Sequence, residues 1–304
     1  MIRMLLASAV LAALSGAAAA QTDTLCRAEI EPLSGAAAFD GPAGAGYAVF
    51  GANAVSQAVP VNILHRGESC AYALTVEGPT EAGLGQASFG PETLRFTLSD
   101  YPDGRPLVQS APAPDRDAVR GVLPAAAQTD FTPVELYLSA PDGQVVAAGT
   151  YRADLRLRLY VDDGSGWALA DETVMLAAFP VAPAIDLGFA AGGGGGDSQD
   201  LSILIDEDGG EARTTLYARS NAPFTARVES ENDFRLERVD GLSDIGLGYA
   251  LWLDGRRARD EALDFQRPSE SETEIPVLVS VDSQWSTPPA GVYHDTVRVI
   301  VTAQ

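Results

Sequence analysis

Apolar residues in this chain alternate with other residues over short runs, and the runs are separated by Gly, Pro, Asp and Asn. Residues 61–64, 71–76, 94–98, 134–138, 155–161, 201–205, 216–218, 249–253, 275–281 and 297–301 all read this way. A period of two puts successive side chains on opposite faces, so each run has one face to bury and one to leave wet. Outside the first 20 residues, no dozen residues carry the i, i+3, i+4, i+7 stripe of a helix without an interrupting Gly or Pro. The expected fold class is all-β, a sandwich or barrel of short strands.

The chain also repeats itself. Residues 149–161 (GTYRADLRLRLYV) align without gaps on residues 291–303 (GVYHDTVRVIVTA), sharing Gly, Tyr, Arg and the alternation. Upstream, 132–138 (TPVELYL) matches 275–281 (IPVLVSV), and 94–100 (LRFTLSD) matches 249–255 (YALWLDG). Three matched pieces in one order, offset by about 140 to 155 residues, predict two tandem β-sandwich domains rather than a solenoid. The copies join near residues 180–183, which divides the chain into a leader (1–20), a first sandwich (21–182) and a second (183–304). The first copy continues past its repeat into one more strand, 173–179, for which nothing after Val301 is a counterpart. The second sandwich is therefore expected to lack its last strand.

Residues 1–20 join one base, Arg3, to an apolar stretch and then to Ser, Gly and four Ala, the layout of a secretory signal cut after Ala20. Export to an oxidising compartment makes the only two cysteines, Cys26 and Cys70, an expected disulfide rather than a metal site. Of 304 residues 42 are acidic and 20 basic, every base an Arg, and a net charge of -22 repels phosphate backbones and anionic lipid. Nucleic acid is excluded as a partner on that ground.

Chemistry finds little to stand on. His65 and His294 are isolated, and neither neighbours a Cys or a nucleophile elbow. The run 192–196 is all Gly but lacks the Lys and helix of a phosphate loop, and Asp206-Glu207-Asp208 lacks the ligand spacing of a calcium loop. Trp167, Trp252 and Trp285 are scattered, and residue type alone does not separate a sugar platform from a core aromatic. No catalysis, metal or cofactor is expected.

The closing repeat (GVYHDTVRVIVTA, 291–303) resembles the last strand of the spore coat protein U domain, the pilin-type domain of archaic chaperone-usher pili. Residues 219–232 (RSNAPFTARVESEN) and 249–255 resemble that family's middle strands. The resemblance covers most of 184–304 and, more weakly, the first copy. It implies an immunoglobulin-like sandwich without its final strand, held by a periplasmic chaperone, assembled at an outer-membrane usher, and completed by a strand from an adjacent subunit. The missing counterpart to 173–179, found from the repeat alone, agrees with that implication.

An unclosed sandwich leaves a groove and unpaired backbone beside its last strand. Tyr293, Val297, Val299 and Val301 are expected to form the groove face, with Asp295 the exception. Residues 21–25 are too few for a donor strand of ten or so residues, so the chain is expected to accept a strand and give none. That layout resembles a two-domain tip adhesin of a surface pilus, serving attachment and biofilm formation. The alternative is a secreted stand-alone two-sandwich protein that binds carbohydrate or protein. Long insertions at 34–57 and 101–131 have no match in the second copy, and Phe39, Tyr47, Phe50, Val119, Val122 and Leu123 are their candidate adhesive residues.

Overall fold

The computed structural model describes residues 25–32, 35–189, 210–239, 246–259, 261–267, 272–281 and 291–304. The leader, the expected strand at 201–205, the glycine run, Asp206 to Asp208 and Trp285 lie outside the described residues.

In the first half the strands are β1 (Arg27–Ile30), β2 (Ala36–Ala38), β3 (Gln57–Gly67), β4 (Cys70–Glu77), β5 (Thr80–Glu81), β6 (Leu84–Phe89), β7 (Glu92–Ser99), β8 (Val108–Gln109), β9 (Ala118–Leu123), β10 (Ala126–Ser139), β11 (Gly149–Asp162) and β12 (Ala168–Val181). The second half holds β13 (Ile185–Phe189), β14 (Glu211–Ser220), β15 (Phe224–Ser230), β16 (Arg235–Arg238), β17 (Leu247–Leu253), β18 (Arg256–Arg257), β19 (Leu263–Phe265), β20 (Thr273–Val281), β21 (Tyr293–His294) and β22 (Val297–Ala303). One 3-10 turn, Pro42–Gly44, is the only helical element among the described residues. The protein is all-β.

The repeated sequences occupy equivalent places. One layer of the first half runs β1-β3-β10-β7, and one layer of the second runs β13-β14-β20-β17 in the same order. The matched pieces 132–138 and 275–281 are the third strands of these layers, and 94–100 and 249–255 fall on the fourth. In the facing layers β11 pairs with β4, and β22 pairs with β15. The copies diverge beside these strands: β11 also pairs with β12 along its whole length, whereas β22 has β15 alone among the described residues.

Alternation fills two separate cores. On β11 Tyr151, Leu155, Leu157 and Leu159 point inward and are buried, while Arg152, Asp154, Arg156 and Arg158 point out. Arg158 bonds Glu77 at 2.5 Å and Glu172 at 2.7 Å on the neighbouring strands, half-exposed pairs that contribute only a few tenths of a kcal/mol each, ~0.2–1. The other inward rows of the first core include Val61 and Ile63 of β3, Leu94, Phe96 and Leu98 of β7, and Leu136 and Leu138 of β10. The second core gathers Leu216, Phe224, Tyr249, Leu251, Leu253, Ile275 and Val277.

The two insertions of the first half are not loose loops. Residues 36–38 form β2, which pairs in parallel with β12, and the amides of Phe39 and Tyr47 donate to the carbonyls of Ala178 and Pro180 at 2.8 Å each. The segment therefore covers the outer edge of the closing strand. Residues 101–131 contain β8 and β9, both hydrogen-bonded to β4, and the start of β10.

Cys26 and Cys70 are bonded, tying the residue before β1 to the first residue of β4. Closing a loop with a separation of 44 residues stabilises the fold by about 4 kcal/mol through chain entropy. Thiol labelling of the denatured, unreduced protein is expected to find no free cysteine. The Cys26→Ser, Cys70→Ser double variant is expected to lose about 2–4 kcal/mol in denaturant unfolding.

Candidate functional site

The open edge of the second half begins with the sequence of β22 itself. Its β-branched residues Val297, Ile300, Val299 and Val301 favour extended backbone, and a period of two sends Val297, Val299 and Val301 to one face. All three pack against the second core, yet each stays half-buried. Their counterparts in the repeat, Leu155, Leu157 and Leu159, are wholly buried at 0% exposure. The difference follows from pairing, because β12 shields β11 on its second side and nothing described shields β22.

Across the opening lies β13, the edge strand of the other layer among the described residues, bonded there to β14. Its Ile185, Leu187 and Phe189 are also half-buried against the same core. Two edge strands from facing layers thus flank an apolar strip that one added strand would cover. Main-chain groups on such an edge are a template for pairing with another chain.

Tyr293 does not continue the valine face. It pairs with Arg238 of β16 in the opposite layer, and the chain crosses between layers at Asp295 and Thr296. Asp295 explains its own exception to the apolar pattern at that crossing. Its Oδ2 accepts the hydroxyls of Ser230 at 2.6 Å and Tyr249 at 2.5 Å, and its Oδ1 accepts the Asn232 amide at 3.1 Å. Three donors satisfy the carboxylate and pin the start of β22 to both layers. Burial, then the bond to Asp295, pushes the Tyr249 phenol above its ordinary range. Sequence reasoning missed this cluster; the one visible signal was a lone acid at an inward position.

Most of the expected adhesive residues are elsewhere. Phe39 is 0% exposed and its ring lies 5.7 Å from Phe179, which in turn lies 5.0 Å from Phe96. Tyr47 is buried with its hydroxyl donating to the Pro141 carbonyl at 3.0 Å and accepting the Gln144 amide at 2.9 Å. Leu123 is buried opposite Cys70. These three cannot meet a target, because the insertions that carry them add strands to the core instead of leaving it. Phe50 packs against the first core and under the Arg219 guanidinium, and Val119 is also partly buried there. Val122 alone of the six is open, at 66% exposure.

Val122 has apolar company at the end of the first half where β4, β9, β11 and β12 converge. The register places Ala71 beside Val122 and Asp162, and Val161 beside Ala168. Leu25 and Leu169 are exposed at the same end, and the Arg120 guanidinium lies 6.0 Å over the half-buried Trp167 ring. Among the remaining chemical candidates, His65 is buried with its Nε2 3.1 Å from the Thr132 hydroxyl, and His294 is exposed on β21.

No family model and no curated protein matches the sequence. Among solved structures the chain is similar to one from the chaperone–tip adhesion subunit pre-assembly complex of archaic chaperone-usher Csu pili of Acinetobacter baumannii. That similarity has 12% identity and a TM-score of 0.42, covering 76% of this chain and 84% of that one. CfaE, the adhesive subunit of CFA/I fimbria of enterotoxigenic Escherichia coli, aligns at 13% identity and a TM-score of 0.34, over 91% of this chain and 81% of that one. The CupB6 tip adhesin from Pseudomonas aeruginosa aligns at 11% identity and a TM-score of 0.32, over 91% and 92%.

Truncating a buried and an exposed residue of the insertions separates packing from surface. Phe39→Ala is expected to cost about 3–5 kcal/mol in denaturant unfolding, whereas Val122→Ser stays within about 0.5 kcal/mol.

Proposed function

We propose that this protein is an adhesive subunit of a chaperone-usher pilus that docks by accepting a strand from an adjacent subunit beside β22. In this reading the chain is two domains, 21–182 and 183–304, the second an incomplete sandwich. The observation that carries it is the broken equivalence of the copies: β11 is closed by β12, and β22, in the same place, has no second neighbour among the described residues. The half-buried Val297, Val299 and Val301 facing Ile185 and Leu187 supply the apolar half of the argument. A donor strand adds main-chain bonds along β22 and inserts alternate side chains between the layers. Before assembly a periplasmic chaperone covers the same strip and an outer-membrane usher receives the subunit, as the resemblance to the spore coat protein U domain implies. Export through the periplasm to the cell surface, and a binding rather than catalytic role, complete the reading.

Adhesion belongs to the free end of the first domain. Leu25, Val122, Trp167 and Leu169 make an apolar rim there, remote from the open edge, on a protein whose acidity keeps it soluble. This replaces the buried Phe39, Tyr47 and Leu123 as the contact surface.

A ten-residue peptide of alternating large apolar residues, added to the full mature chain, tests the docking claim. Saturation to 100 times Kd is expected to stabilise the protein by roughly 2.7 kcal/mol in thermal unfolding. Val299→Asp, which puts a carboxylate in the strip, is expected to abolish the effect. A stable monomer indifferent to such peptides and to chaperone co-expression would return the protein to the stand-alone binding reading. In a piliated strain, Val122→Ser with Leu169→Ser is expected to remove surface attachment and leave fibre number unchanged by electron microscopy.

A further inference from the structure

The two halves meet through polar contacts between residues far apart in sequence. Asn221, in the turn between β14 and β15, is 0% exposed and uses all of its hydrogen-bonding groups. Its Oδ1 accepts the Ala184 amide at 2.7 Å, its Nδ2 donates to the Ala182 carbonyl at 3.0 Å, and its amide donates to the Ala184 carbonyl at 3.2 Å. Three bonds therefore fasten the linker, residues 182–184, onto the second half. The fourth group, the Asn221 carbonyl, accepts the amide of Ala148 at 3.1 Å, just before β11 of the first half. Next to it, Arg219 pairs with Asp186 at 3.1 Å and lays its guanidinium 5.0 Å over the Phe50 ring.

A second anchor stands on a separate segment of the second half. Arg267, just after β19, forks onto Glu92 of β7, with Nη1 on Oε1 and Nη2 3.4 Å from Oε2. The same carboxylate accepts the Ala147 amide at 2.7 Å and the Tyr151 hydroxyl at 3.2 Å. Arg267 holds the Glu92 carboxyl below its usual range, and burial followed by the Glu92 charge pushes the Tyr151 phenol up to about 12.

Domains joined by a short linker and a small polar contact ordinarily move relative to one another. One anchor would still let the halves swivel; anchors on two separate segments of the second half, the turn between β14 and β15 and the residues after β19, remove that freedom. We propose that Asn221 and the Glu92–Arg267 pair form a latch that holds the halves in a single orientation, making residues 182–184 a strut rather than a hinge. The latch fixes the direction of the open edge of β22 relative to the free end of the first half. It does not depend on what, if anything, binds at either place.

The native cysteines are bonded to each other, so introduced thiols can be labelled selectively. Spin labels at Val122→Cys and Arg213→Cys, both exposed sites on opposite halves, report the distance between them in the full chain. A single narrow distance population is expected, and Arg267→Ala is expected to replace it with a broad one at unchanged circular dichroism. Arg267→Lys, which keeps a cationic donor facing Glu92 and leaves the Ala147 and Tyr151 bonds to that carboxylate intact, is expected to keep a narrower population than Arg267→Ala. A broad distribution in the parent chain, or a narrow one retained in Arg267→Ala, overturns the latch. Asn221→Ala is the second variant: if it is too unstable to label, the Arg267 series still decides.

Discussion

Every main-chain amide and carbonyl in a sheet needs a partner, and among the described residues β22 is paired on one side only. The rest of the second half is arranged around that deficit. Its core is complete on the side of β14, β17 and β20, where Leu216, Leu251 and Ile275 are fully enclosed, and thins toward β22, where three valines remain half-buried. In the proposed reading, a strand from an adjacent subunit supplies hydrogen bonds along this edge and apolar contact between the layers at once.

The first half shows the same problem solved within one chain. Its counterpart strand is covered by β12, and β12 in turn is covered by β2 and by the bridge from Tyr47 to Val181. The chain spends an insertion on protecting an edge, and the aromatic residues of that insertion anchor it to the core. Glycine makes the close approach possible: a Cβ on Gly46 would sit 2.2 Å from the Pro180 carbonyl oxygen, and Gly46 holds a positive φ of 78° that suits no other residue as well.

Three polar residues organise the second half and its contact with the first, and each has several partners. Asp295 fixes where β22 leaves one layer for the other, Asn221 fastens the linker, and Glu92 receives Arg267. Such groups cost free energy to desolvate, and they persist because several donors or acceptors converge on each. Their positions bracket the strip beside β22 at one end and the contact between the halves at the other.

The all-β class, most of the strand positions, the equivalent placement of the repeated pieces and the disulfide were legible in the sequence. They depend on a period of two, on self-similarity and on cysteine count, which are local or linear properties of the chain. The fate of Phe39, Tyr47 and Leu123 was not legible, nor were the partners of Asp295, Asn221 and Glu92. An apolar residue in a glycine-rich stretch reads the same whether the stretch folds back on an edge or projects into solvent. A carboxylate likewise reads the same whether its partner is water or an arginine 175 residues away. Long-range pairing alone decides those cases, because burial is set by what the distant chain brings to the same place.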